Sequence, residues 1–135
     1  MNKLDAVCFA ILKFEGFTPG ASTQEGSQSY RSNNPGNLRA GKGEIGKSDA
    51  GFAVFASFAD GWEALHYDIT VKCSGNSRAK LPDGRRLSKS STLYDLFHVY
   101  APSSDNNHPI EYANFVANFA HINPNDPIGK ILQEG

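Results

Sequence analysis

The chain has 135 residues, 39% of them hydrophobic and 20% charged, with 13 basic and 14 acidic side chains for a formal net charge of −1. That length and apolar fraction fit one soluble domain, residues 1–135, which buries roughly two-thirds of its extended-chain surface. The charge balance argues against a nucleic-acid partner, which requires a basic patch, and no run approaches the ~20 apolar residues of a membrane span.

The N-terminal stretch is amphipathic and is broken by Asp5 and Lys13, so it lacks the apolar core of a signal peptide. The chain therefore reads as made in a reducing cytoplasm without a leader. Cys8 and Cys73 are read as reduced thiols, because two cysteines alone are no disulfide framework.

Leu4, Val7, Cys8 and Ile11 recur at helical spacing, and four residues further the same stripe reaches Glu15, which Gly16 follows. A carboxylate there faces the carbonyl end of the helix dipole on the apolar side of the helix. Both influences raise its pKa, as a general acid requires. Residues 18–35 are rich in Gly, Ser, Gln, Asn and Pro and form a long polar loop. Residues 36–39 and 51–55 read as two short strands joined by a Gly/Lys-rich turn at 41–50.

Ser57 and Asp60 open a helix carrying Phe58, Trp62, Leu65 and Ile69 at helical spacing. Residues 73–90 form a solvated loop holding the basic clusters Arg78–Lys80 and Arg85–Lys89, with a turn at Pro82-Asp83-Gly84. Thr92 with Asp95 starts the next helix, lined by Leu93, Leu96, Phe97 and Tyr100 and stopped at Pro102. Pro109 opens another, with Tyr112, Phe115, Val116 and Phe119 as its stripe. Asp126-Pro127 caps a short final turn with Ile128, Ile131 and Leu132. The expected class is α+β, mainly helical.

Three polar features point to a site. The run Arg31 to Arg39 packs three Asn and two Arg into nine residues, groups that pair with hydroxyls and acetamido groups. The run Tyr100 to Asn107 is a second polar segment at a helix end. Glu15 is the third. His66, His98, His108 and His121 have no metal-ligand spacing, there is no glycine-rich phosphate loop, and neither cysteine has an evident His partner, so no metal or cofactor is expected.

The order Glu15-Gly16, Asn33-Asn34-Pro35-Gly36-Asn37-Leu38-Arg39, Gly51-Phe52-Ala53-Val54-Phe55 and Tyr100-Ala101-Pro102 through Asn106-Asn107 to Tyr112 resembles the lysozyme superfamily. More narrowly, it is similar to small lysozyme-like or lytic transglycosylase-like proteins of phages and prophages. The resemblance spans about residues 4–132. It implies a lysozyme-like fold whose small β-hairpin flanks a cleft, and bacteriolytic cleavage of the β-1,4 bond between N-acetylmuramic acid and N-acetylglucosamine in peptidoglycan. Glu15 would be the catalytic acid. Tyr30, Asn34, Asn37, Arg39, Phe55, Tyr100 and Asn107 would bind the glycan, the 33–39 and 100–107 runs facing each other across the cleft. Phe52 is a further candidate for the cleft floor, whereas Phe55 and Trp62 also suit a core.

Glycoside cleavage ordinarily uses two carboxylates. Glu25, Glu44 and Asp49 are the candidates for a second, yet all lie in polar loops. The reading therefore favours a single-Glu lytic transglycosylase over a hydrolysing muramidase. From another class, the rival is a non-catalytic virion or tail module that keeps the shape for glycan binding or assembly. Chitin, with the same bond geometry, is a weaker alternative substrate. The expected place of action is the cell wall or periplasm, with other virion or secretion components as further partners.

Overall fold

The computed structural model describes residues 1–16, 32–103 and 107–133. In chain order its elements are helix α1 (Lys3–Phe14), strands β1 (Gly46–Lys47) and β2 (Ala53–Val54), helices α2 (Phe58–Cys73), α3 (Leu93–Tyr100) and α4 (Pro109–Ala120), and a 3-10 turn (Ile128–Leu132). The described residues are thus mainly helical with one two-stranded antiparallel sheet, an α+β composition. The chain divides into two compact units, one of residues 1–10 with 69–135 and one of residues 11–68. Among the described residues, no helix is long and apolar enough to cross a membrane.

Helix α1 starts on a cap that its sequence pattern did not announce: the Asp5 amide donates to Asn2 Oδ1 at 2.8 Å. Val7, Cys8 and Ile11 are fully buried along its stripe. Gly16, at φ 69°, takes the left-handed conformation that ends a helix, and its amide donates to Lys13 O at 3.1 Å.

In the 11–68 unit, Gly46 pairs with Val54 and Lys47 with Ala53. This corrects the expected hairpin. The second strand falls within 51–55, but the first lies inside the segment read as a turn, and residues 36–39 are loop. The cause is local: Asn33 and Asn37 hold φ of 53° and 50°, left-handed values that no strand accommodates. Leu38 still meets the sheet through one backbone bond, Ala53 N–H to Leu38 O at 2.9 Å. The tight connection lies at 48–52, where the Gly51 amide donates to Ser48 O at 2.9 Å.

Helix α2 begins where Asp60 N–H donates to Ser57 Oγ at 3.1 Å. Leu65 and Ile69 are fully buried, while Phe58, at 42% exposure, stacks along the helix surface on Trp62. Gly61 explains how this helix meets the Asn-rich loop. A Cβ there would lie 1.8 Å from Asn33 O and 3.0 Å from Pro35 Cδ. Alanine would gain about 1 kcal/mol of helix propensity, but the overlap is with backbone and cannot be relieved by a rotamer change. Gly61→Ala is therefore expected to lose about 1–3 kcal/mol net in urea unfolding. Unchanged stability would contradict this close approach.

In the other unit, α3 and α4 pack together. The Thr92–Asp95 capping box is complete, and Phe97 stacks on Tyr112 with ring centroids 4.4 Å apart. The buried face of α4 is Tyr112, Ala113, Val116 and Ala117. Phe115 and Phe119, expected on that stripe, are 38% and 40% exposed. The final turn forms as a 3-10 helix with Ile128 and Ile131 buried, but no side chain caps it; Asp126 instead reaches Lys130 at 3.6 Å. The 73–90 loop is less solvated than expected, because Leu81 and Leu87 are buried. Cys8 and Cys73 are both buried.

Candidate functional site

Glu15 stands one residue beyond the last residue of α1, half-buried, its amide donating to Ile11 O at 2.9 Å. That bond makes it the continuation of the α1 stripe, four residues past the fully buried Ile11. Its backbone position is fixed on one side by the helix and on the other by the left-handed Gly16.

The Asn-rich loop belongs to the same 11–68 unit and is held by three separate devices. Asn34 is fully buried, and its amide group is wholly engaged within the protein. Its Nδ2 donates to Leu38 O at 2.8 Å and Ala53 O at 3.0 Å, and its Oδ1 accepts from Leu38 N–H at 2.9 Å. Asn33 Nδ2 donates to Phe55 O at 3.0 Å. Gly61 gives the loop backbone its bed. Asn34 is thus a clamp and not a sugar-binding group, which corrects the expectation. Phe55 is corrected likewise: it is 1% exposed, and a Cβ on Gly41 would lie 2.7 Å from its ring. It is core.

Asn37 differs from Asn34. It is held left-handed, with its amide donating to Asn34 O at 2.9 Å. Among the described residues its Oδ1 is the buried side-chain oxygen without a hydrogen-bond partner. Buried acceptors are rarely left unpaired, and one held on a braced loop calls for a donor. Next to it, Arg39 is exposed and lays its guanidinium over the half-buried Phe52 ring, 4.5 Å from the centroid. Lys47 Nζ donates to Arg39 O, tying this edge of the loop to β1.

Of the candidate second acids, Glu44 is already engaged. Gly41 N–H donates to its Oε1 at 2.9 Å and Lys47 Nζ lies 3.0 Å from Oε2. These two partners hold its carboxyl below the usual carboxylate range. Asp49 is exposed in the hairpin turn. Glu25 and the sugar-binding candidate Tyr30 lie outside the described residues, as do Arg31 and residues 104–106.

Tyr100 and Asn107 belong to the other unit. Tyr100 is half-buried, edge-on to Phe97 and Tyr112, with Lys72 Nζ 5.7 Å from its ring centroid. Asn107 Nδ2 donates to Pro102 O at 3.4 Å, a long bond across the loop that follows α3. His66 and His98 are bonded through Nδ1 to Trp62 O and Tyr94 O in their own helices. Among the described residues, no three His, Cys, Asp or Glu side chains come together as metal ligands would. No family model, curated protein or solved structure matches the chain.

Proposed function

We propose that the chain cleaves the β-1,4 bond between N-acetylmuramic acid and N-acetylglucosamine in peptidoglycan, as a lytic transglycosylase with Glu15 as its one catalytic acid. What supports this reading is that two features fall in the one compact unit of residues 11–68. A half-buried acid ends α1, and a clamped loop presents a buried acceptor, Asn37 Oδ1, with no donor among the described residues. Neutral Glu15 gives its proton to the glycosidic oxygen as that bond breaks. The resulting carboxylate then takes the proton of the muramoyl 6-hydroxyl, whose oxygen closes on C1 to leave a 1,6-anhydro end. The substrate's acetamido group stabilises the cation-like centre meanwhile. Asn37 Oδ1 suits an acetamido N–H or a sugar hydroxyl, and Arg39 the acceptor oxygens beside it. The proposed place of action is the bacterial cell wall, with the protein carried by a phage particle.

The test is mass spectrometry of the muropeptides released from purified walls. Anhydro-muramoyl ends are expected, reducing ends would indicate a muramidase, and no release would leave a glycan-binding module. Asn37→Gly isolates the binding role. Glycine accepts φ 50° without strain, so stability is kept while the acceptor is lost. The expected outcome is a KM raised roughly 5- to 30-fold, for one buried hydrogen bond of about 1–2 kcal/mol, with an unchanged melting temperature. An unchanged KM would remove Asn37 from the site.

A further inference from the structure

Residues 77–89 carry five cations (Arg78, Lys80, Arg85, Arg86 and Lys89) and one acid, Asp83, against eight cations and thirteen acids in the rest of the chain. The near-neutral total therefore conceals a strongly positive segment on an otherwise acidic protein. It is also a built turn. Leu81 and Leu87 anchor it from inside, Leu81 N–H donates to Arg85 O at 2.7 Å, and Gly84 N–H donates to Leu81 O at 2.9 Å. Gly84 sits at φ 89°, so the Pro82-Asp83-Gly84 turn is closed tightly. Arg86 donates from Nε and Nη2 to Ser77 O at 3.2 and 2.9 Å, stapling the base of the turn.

The arrangement of charge is costly to the fold. Lys80 and Arg86 form an antiparallel bridge, and residues directly opposite one another project on one face, where like charges repel. The acids that reach the segment, Asp83 at 2.7 Å and Asp95 at 3.7 Å, both pair with Arg85. Arg78, Lys80, Arg86 and Lys89 are exposed and, among the described residues, have no carboxylate partner. A fixed turn that sets Lys80 and Arg86 side by side, with Arg78 and Lys89 exposed on the same segment, is suited to a polyanion, with little ordering entropy left to lose on binding.

Its chemistry narrows the polyanion. Residues 74–91 contain no Phe, Tyr or Trp on which bases could stack, and both leucines are buried, so no apolar group enters lipid. We propose that the 77–89 turn docks a flexible phosphodiester-linked polyol polymer, of the poly(glycerol phosphate) kind carried by bacterial walls, whose successive phosphates can adapt to the four cations. The choice of a wall polymer rests on the wall-cleaving reading above.

The test is titration of the full chain with soluble poly(glycerol phosphate) free of peptidoglycan, so that binding is read independently of glycan cleavage. Duplex DNA and phosphatidylglycerol vesicles at equal phosphate are run beside it. Polymer binding is expected to be tightest and to weaken at least about tenfold between roughly 50 and 200 mM salt, as counterion release requires. The triple variant Arg78→Gln, Lys80→Gln, Lys89→Gln, which leaves the Arg86 staple in place, should bind at least about tenfold more weakly at a melting temperature that is unchanged or slightly raised. Wild-type affinity in that variant, or tighter binding of DNA or vesicles than of the polymer, would overturn the proposal. Loss of muropeptide release with polymer binding intact would count against the cleavage reading alone.

Discussion

Glu15→Gln is expected to lower the release of muropeptides from purified walls by at least ~10²-fold, the scale of losing acid–base catalysis. The amide keeps the shape and the backbone bond to Ile11 O at 2.9 Å, so the helix end should persist. It cannot give a proton to the leaving oxygen or take one from the 6-hydroxyl, so both halves of the reaction fail together. Stability should change by less than about 1 kcal/mol, because the amide is isosteric with the carboxyl and leaves the helix-end backbone bond in place. The paired readout separates chemistry from folding. A variant that melts like the wild type and releases nothing supports the assignment, and one with wild-type release removes Glu15 from the reaction.

The starts of α2 and α3 were the most legible part of the fold, because their signals are local. Thr92 and Asp95 form the full reciprocal box that their spacing implied, and Ser57 caps Asp60 as expected. Gly16 ends α1 in the left-handed conformation for which glycine is suited. Periodicity was less reliable about which side of a helix is covered. In α4 the large Phe115 and Phe119 dominated the pattern, while the face that packs uses two alanines, Ala113 and Ala117, beside Tyr112 and Val116. Small residues that permit close packing leave little hydrophobic signal.

The same limit applies to the loop of the candidate site. Its Asn-Asn-Pro-Gly-Asn run was legible as a special turn, yet one asparagine looks like another in sequence. Asn34 is a clamp because its Nδ2 reaches Ala53 O, 19 residues away, and Asn37 is not because nothing described reaches its Oδ1. Only the tertiary bond distinguishes them. The strand expected at 36–39 failed for a related reason: the apolar Leu38 does approach Ala53, but the left-handed residue before it prevents an extended run.

The second expected result concerns the product and the number of carboxylates. Muropeptides should carry 1,6-anhydro-muramoyl ends, and Ala substitution of Glu44, Asp49 or Glu25 should each leave most of the activity. Gly41 N–H and Lys47 occupy both oxygens of Glu44 and hold its carboxyl below the usual range, so it is neither a proton donor near neutral pH nor an open nucleophile. Its work is in the 41–47 turn, and Glu44→Ala should cost stability before it costs turnover. Asp49 is exposed at the hairpin turn, where a solvated carboxylate is poorly suited to the ~0.5 Å positioning that a catalytic nucleophile needs. On the proposed single-acid reaction, the 6-hydroxyl of the muramoyl residue would be the nucleophile, and its attack would be intramolecular, an advantage that can reach several kcal/mol. Reducing muramic ends in the product would reverse this conclusion. So would one of the three Ala variants being as inactive as Glu15→Gln while still folded, and that variant would then identify the base or nucleophile of a hydrolysing enzyme.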